Sequence, residues 1–194
     1  MNEYLGKKLD EWLRMYNAGH FAEARDFYFE YLFAEIIERF ELLYGTGGKV
    51  DMLFSILGFT PEPIILAQRA LKPDMHIIFY TDKGIEGDNE SSRYLEKYLT
   101  SNYQLIKFRD ESFKTIYNTM KEQLVLHPTR TCAIDITGGK KSTVASAAIF
   151  GRDYNADIFY VDYDQYIPEL RRPKPGTEKL SMVYSPIRDL PEMG

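Results

Sequence analysis

The run Ile134-Asp135-Ile136-Thr137-Gly138-Gly139-Lys140-Lys141-Ser142-Thr143 carries the strongest chemical signal in this chain. It joins a short apolar strand to a helix. Two adjacent glycines leave backbone N–H groups uncovered, and the helix start adds the positive end of its dipole. Lysine at a helix start opposes that dipole, and an anionic ligand would give Lys140 and Lys141 a reason to be there; the plainer reading is a glycine-rich helix start with solvated lysines. Thr137, Ser142 and Thr143 add hydroxyl donors. Together these groups suit the binding of phosphate. The run is not a Walker A loop, which needs a glycine further upstream of its Gly-Lys pair, and no GxGxxG is present for a dinucleotide.

A second candidate loop is Ser55-Ile56-Leu57-Gly58-Phe59-Thr60-Pro61-Glu62-Pro63. Gly58 permits close backbone approach. The Thr60 hydroxyl serves either a ligand or the N-cap of the helix that Pro61 or Pro63 opens. Phe59 either stacks on a base or packs internally. Asp82 and Lys83 follow the next strand and either line the same crevice or form a surface turn with Gly84 and Gly87. Asp162, Tyr163 and Asp164 read as a strand cap, His76 as structural, and Cys132 as a buried, inert thiol.

The elements that must position these loops follow from periodicity. From Val50 onward, short runs rich in Ile, Phe and Val alternate with amphipathic segments. Strands are expected over 51–57, 75–81, 103–108, 131–136 and 157–163, buried on both faces. Helices are expected over 62–71, 91–99, 113–126 and 141–153. This alternation predicts an α/β fold with a Rossmann-like, mostly parallel sheet and helices on both faces. Its ligand crevice should lie beyond the carboxyl ends of the strands. After a loop at 171–176, a last short strand is expected over 180–184.

Residues 1–45 differ. Leu5, Leu9, Trp12, Leu13 and Tyr16 recur at helical spacing, Gly19 ends that helix, and a second helix covers 21–44. Two domains are therefore expected: an N-terminal helical pair over 1–45 and the Rossmann-like domain over 50–194. The glycines of Gly45-Thr46-Gly47-Gly48-Lys49 read as a linker. A single tetratricopeptide-like hairpin is the plainer reading of the pair, and one such unit is too few for a solenoid. Aromatic residues are abundant, 14% of the chain, and many lie in this pair, which suggests an interface or capping role, with a dimer favoured.

Composition narrows the function. With 194 residues and a net charge of −5, the chain can bury a core but does not suit gripping long nucleic acid. One cysteine excludes an intrachain disulfide, and three scattered histidines offer no metal-binding pair. No metal and no cofactor is expected. No signal peptide or membrane span is visible, which points to the cytoplasm.

The two loops together resemble the CARF family, the Rossmann-like sensor domains of type III CRISPR systems that bind cyclic oligoadenylates. The resemblance covers about residues 50–165. Gly58 and Thr60 match the family's first motif. Asp135, Thr137, Gly138, Gly139 and Lys141 match the second, with Lys140 in its variable slot. The resemblance implies a homodimer holding a cyclic tetra- or hexaadenylate across its two-fold axis, as suits a symmetric ligand. The ligand-binding set would then be Gly58, Phe59, Thr60, Thr137, Gly138, Gly139, Lys140, Lys141 and Ser142.

Two functions remain open. One is a metal-independent ring nuclease in which a ribose 2′-OH attacks its own phosphate, with Lys141 stabilising charge and Thr60 positioning the ribose or phosphate. The other is a non-catalytic sensor that signals to a partner through the N-terminal helices. A small nucleotide-binding enzyme on a similar sheet lies outside the family. Arg14 and His20 fit the Arg-x(4–6)-His spacing of HEPN ribonucleases, but Gly19 between them favours a hairpin turn.

Overall fold

The computed structural model describes residues 3–45, 50–81 and 91–189. Thr46 to Lys49 of the expected linker, and Asp82, Lys83, Gly84 and Gly87, lie outside the described residues. The chain forms two compact units, one of residues 1–44 with 163–179 and one of residues 45–162 with 180–194. Among the described residues no helix is long and apolar enough to cross a membrane.

In the second unit, β1 (Met52–Ile56), β2 (Met75–Tyr80), β3 (Asn102–Lys107), β4 (Cys132–Asp135) and β5 (Asp157–Tyr163) form a sheet with β8 (Glu178–Tyr184) at its far edge, in the order β3-β2-β1-β4-β5-β8. The β3-β2, β2-β1, β1-β4 and β4-β5 pairs are parallel. Helices α4 (Glu62–Leu71), α5 (Ser91–Tyr98), α6 (Phe113–Leu126) and α7 (Lys141–Asp153) alternate with these strands, and a short α8 (Pro186–Asp189) closes the unit.

Helices cover both faces because side chains alternate along β1. Met52, Phe54 and Ile56 point into one core with Phe79, Ile116 and Met120, to which α7 adds Ala147 and Phe150. Ser55 points the other way, where it meets His76, and His76 meets Gln68 of α4. Small residues let α7 settle close to the sheet: a Cβ on Gly151 would lie 3.0 Å from Ile134 and Ile158 side chains. The expectation of strands buried on both faces fails for β3, where Gln104 and Leu105 are exposed. As an edge strand it has a neighbour on one side only.

The first unit holds α1 (Glu3–Asn17), α2 (Phe21–Phe27) and α3 (Phe33–Tyr44), with a π-helical turn over Tyr28–Leu32 between the last two. A single long helix was expected over 21–44. The π turn inserts one extra residue, seen in the Phe33 N–H donating to the Tyr28 carbonyl. The added rotation lets Tyr28, Phe29, Leu32 and Phe33 all be buried. Trp12, Tyr16, Phe27 and Phe40 are buried too. Most of the described aromatic rings of this segment are therefore interior, while Phe21 and Tyr31 stay exposed. Ring pairs such as Trp12–Tyr16, with centroids 4.7 Å apart, knit this interior.

A small ribbon of β6 (Tyr166–Ile167) and β7 (Arg172–Pro173), not expected from the sequence, also belongs to this unit. Arg39 donates to the Gly176 carbonyl at 2.6 Å, and the Arg172 guanidinium lies 4.9 Å from the Tyr16 ring centroid. Gly19, at φ +80, ends α1 between Arg14 and His20, and the His20 ring meets Glu23 at 3.0 Å.

Candidate functional site

The strand order puts β1 beside β4, although about 80 residues separate them in sequence, and chain direction around the sheet reverses there. Such a switch point opens a crevice at the carboxyl ends of the strands. Both candidate loops leave the sheet at this point, so the topology itself brings them together.

Their contact explains the glycines. A Cβ on Gly138 would lie 2.1 Å from the Ile56 carbonyl oxygen and 2.8 Å from the Gly58 nitrogen. A Cβ on Gly58 would lie 3.0 Å from the Gly139 nitrogen. Gly139 has φ +94, a left-handed conformation that glycine adopts without strain. The glycines thus serve loop-on-loop packing as well as exposing N–H groups.

A cavity of about 600 Å³ opens between the loops. Gly58, Phe59, Thr60, Thr137, Gly138, Gly139, Lys140 and Lys141 all line it. Ser142 does not line it, and Thr143, one position on around α7, does. Sequence reasoning also missed Thr81 and Glu111, which follow β2 and β3. The rule that every strand's carboxyl end faces the crevice is the signal that could have found them.

Each side chain has a distinct setting. Phe59 is 87% exposed, so it is not packed internally. Thr60 is exposed, lines the cavity and does not cap α4, whose N-cap is Pro61 with no side-chain hydrogen bond. The α7 N-cap is Lys140, in extended conformation and likewise without a side-chain cap bond. No acidic residue lies in the first turn. The first N–H groups of α7 thus lack both an intrahelical acceptor and a side-chain cap, the arrangement that favours an anion. Lys141 is exposed and has no ion-pair partner among the described residues, whereas Lys140 pairs with Glu111.

The Thr137 hydroxyl, read as a ligand donor, is engaged internally. It donates to Asp135 Oδ1 at 2.5 Å and accepts from the Val161 N–H at 2.7 Å. Its own N–H donates to the same carboxylate at 2.9 Å. Thr137 therefore pins the loop to β5 and presents surface, not a free hydroxyl, to the cavity. Asp135 is fully buried, and burial pushes its pKa up against the opposing pull of the Thr137 donors. Its Oδ2 has no hydrogen-bond partner; the Ser55 hydroxyl lies outside hydrogen-bonding geometry but still favours the charged form.

Beneath the site the polarity of the buried network can be read donor by donor. The Thr100 N–H donates to Gln68 Oε1 at 2.8 Å, which fixes the amide orientation. Gln68 Nε2 then donates to His76 Nδ1 at 3.3 Å. A neutral His76 carries its proton on Nε2 and donates to Ser55 Oγ at 2.9 Å. Burial depresses the His76 pKa to about 3.

That depression has a measurable sign. Above pH 6.5 the imidazole is neutral in both folded and unfolded chains and adds no pH dependence. Between about 6.5 and 3 the unfolded chain takes up a proton that the native state refuses, so stability falls as pH falls, by roughly 5 kcal/mol at the low end. His76→Gln, which retains an amide donor near Nε2, is expected to flatten this limb in denaturation midpoints measured from pH 7 to pH 4. An unchanged slope would mean that His76 is solvated or already charged.

The other candidates stay apart. Cys132 has its thiol pushed up to about 12 by burial, with Asp157 adding, so no thiolate forms. Asp164 pairs with Lys179 at 3.0 Å. Neither they, nor His76, nor Asp162 and Tyr163 line the cavity.

No protein-family model matches the chain. Over 145 residues, 71% of the chain, it is 31% identical to the CRISPR system endoribonuclease Csm6 of Thermus thermophilus, and the matched part is 30% of that protein. The chain thus spans about a third of the length of this curated relative. Among solved structures, Can2 from Sulfobacillus thermosulfidooxidans in complex with cyclic tetra-adenylate superposes with a TM-score of 0.49 and 18% identity, over 58% of this chain and 32% of that one. Enterococcus italicus Csm6 bound to cyclic hexa-2′-fluoro-hexa-dAMP gives a TM-score of 0.48 and 15% identity, over 59% and 34%. The Asp135-to-Lys141 motif, its place beside Gly58 at the switch point of a Rossmann-like sheet, and the similarity to Csm6 together put the α/β unit of this chain in the CARF (CRISPR-associated Rossmann fold) family.

Proposed function

We propose that this chain binds a cyclic oligoadenylate in CRISPR immunity and cleaves it without a metal. The observation that carries the reading is the convergence of both glycine loops, an uncapped helix start and Lys141 on one cavity. The name of the Thermus thermophilus relative, a CRISPR-system endoribonuclease, supports the setting. A cavity of about 600 Å³ is smaller than a ring of four or six nucleotides. A second copy of the chain would supply the other half, and a two-fold dimer would present each loop twice to a symmetric ligand.

The chemistry asks little of the protein. The ribose 2′-oxygen attacks the adjacent phosphorus, the P–O5′ bond breaks, the 2′ proton passes to water and the O5′ leaving group takes one from water. The products are linear fragments with a 2′,3′-cyclic phosphate and a 5′-hydroxyl. Lys141 and the first N–H groups of α7 stabilise charge on the non-bridging oxygens, Thr60 orients the ribose or phosphate, and Phe59 offers a face to an adenine.

The second reading, a sensor that binds the ring intact and signals to a partner, is favoured by one feature. Among the described residues, the cavity wall holds no histidine, cysteine or tyrosine to move a proton. Incubation of purified protein with labelled cyclic tetra- and hexaadenylate in EDTA separates the two. The expected result is linear product bearing cyclic phosphate. Tight binding with intact ring supports the sensor, and failure to bind either ring overturns both.

A further inference from the structure

We propose that Glu111 is a charge gate in the cavity: its carboxylate holds Lys140 in an ion pair and so limits the positive charge offered to a ligand to Lys141 and the helix start. The inference rests on the reading of the cavity as a phosphate site and adds a specificity-determining residue to it.

Glu111 is the one acidic side chain among the described residues that line the cavity. A carboxylate facing a phosphate is repulsive unless something neutralises it, and Glu111 Oε2 is bonded to Lys140 Nζ. The two neighbouring lysines of the motif are therefore not equivalent. Lys140, outside the helix in extended conformation, reaches across to the wall that Glu111 occupies, while Lys141 has no such partner among the described residues.

The carboxylate is presented from a rigid turn. Asp110 Oδ1 accepts from the Ser112 N–H at 2.9 Å, and Asp110 Oδ2 accepts from the Thr115 hydroxyl at 2.9 Å. Ser112 Oγ in turn accepts from the Thr115 N–H at 3.3 Å and caps α6. These bonds bracket Glu111 on both sides and fix the backbone from which its side chain meets Lys140. The pair is partly solvent-exposed, with side-chain exposures of 31% for Glu111 and 55% for Lys140. Its effect on affinity is accordingly modest and salt-sensitive.

Removing the gate should recruit Lys140. Glu111→Gln is expected to tighten binding by roughly three- to tenfold at low salt and to steepen its salt dependence by somewhat under one ion, as for one added phosphate contact. Lys140→Ala leaves Glu111 uncompensated and weakens binding. Glu111→Gln then rescues Lys140→Ala, because it removes the exposed negative charge.

The test is calorimetric titration of the four proteins at two salt concentrations, with cyclic tetra-adenylate and with inorganic triphosphate. Tightening by Glu111→Gln together with rescue of Lys140→Ala establishes the gate. A double variant as weak as Lys140→Ala overturns it and makes Lys140 a direct ligand. Weaker binding by Glu111→Gln overturns it and makes Glu111 an acceptor for ligand hydroxyls. If triphosphate shows the pattern and cyclic tetra-adenylate does not bind, the gate stands and the ligand reading fails. If wild-type protein binds neither probe, both fall.

Discussion

Gly138→Ala is expected to destabilise the α/β unit by about 3 kcal/mol, and with it to abolish the ligand site. The added methyl would stand 2.1 Å from the Ile56 carbonyl oxygen and 2.8 Å from the Gly58 nitrogen. Both are backbone atoms at the end of the central strand β1, so neither can swing aside as a side chain would. Relief requires the two loops to part, which breaks the cavity wall. Gly139→Ala is milder in steric terms, since its Cβ meets the Ile56 side chain at 2.7 Å, but it adds the strain of a left-handed φ. Gly6→Ala is the control. Nothing lies within 4 Å of its Cβ position, and alanine inside α1 should stabilise by up to about 1 kcal/mol. Urea midpoints at constant m-value read all three. A wild-type midpoint for Gly138→Ala would show that the loops do not touch.

Lys141→Ala is expected to bring ring cleavage down to background and to weaken binding of cyclic oligoadenylate by roughly ten- to a hundredfold, the loss of one charge-assisted hydrogen bond. Its fold should be intact, because Lys141 is exposed and alanine suits the first turn of α7. Lys141→Arg keeps the charge and should retain most of the binding, while the altered donor geometry lowers the cleavage rate. Added salt should weaken wild-type binding more than binding by Lys141→Ala. Cleavage at the wild-type rate in Lys141→Ala would remove this lysine from catalysis and leave charge stabilisation to the α7 N–H groups.

Much of the α/β unit was readable because its signals are local. Helices 62–71, 113–126 and 141–153 and strand 157–163 have the bounds expected of them, and the remaining strands differ by a residue or two at their ends. Apolar periodicity, proline at a helix start and glycine after a strand act over a few residues, and the sequence states them directly. The same holds for the glycines, hydroxyls and lysines of 137–141, which one short segment states directly and which line the cavity. The turn at Gly19 is of this kind too.

Other features depend on contacts that no local pattern records. The π turn at Tyr28–Leu32 arises because a straight helix could not bury Tyr28, Phe29, Leu32 and Phe33 together, and that demand is set by what surrounds them. The Thr137 hydroxyl looked free until Asp135 and the Val161 N–H took it. Ser142 and Thr143 both offer hydroxyls in the sequence, and only the placement of α7 makes Thr143 the one that lines the cavity. Glu111 carries no motif, and only the fold brings it to Lys140.

The amino-acid sequence by itself determined the strand–helix alternation, the two glycine loops and the lysines set beside one of them, because these follow from short-range geometry and residue chemistry. Tertiary structure alone decided that β1 lies against β4, that Gly58 and Gly138 meet backbone to backbone, and that one of two adjacent lysines is held by a carboxylate. Those outcomes depend on which distant segments share a sheet and which side chains reach across it. That choice rests on the summed burial and hydrogen bonding of the whole chain.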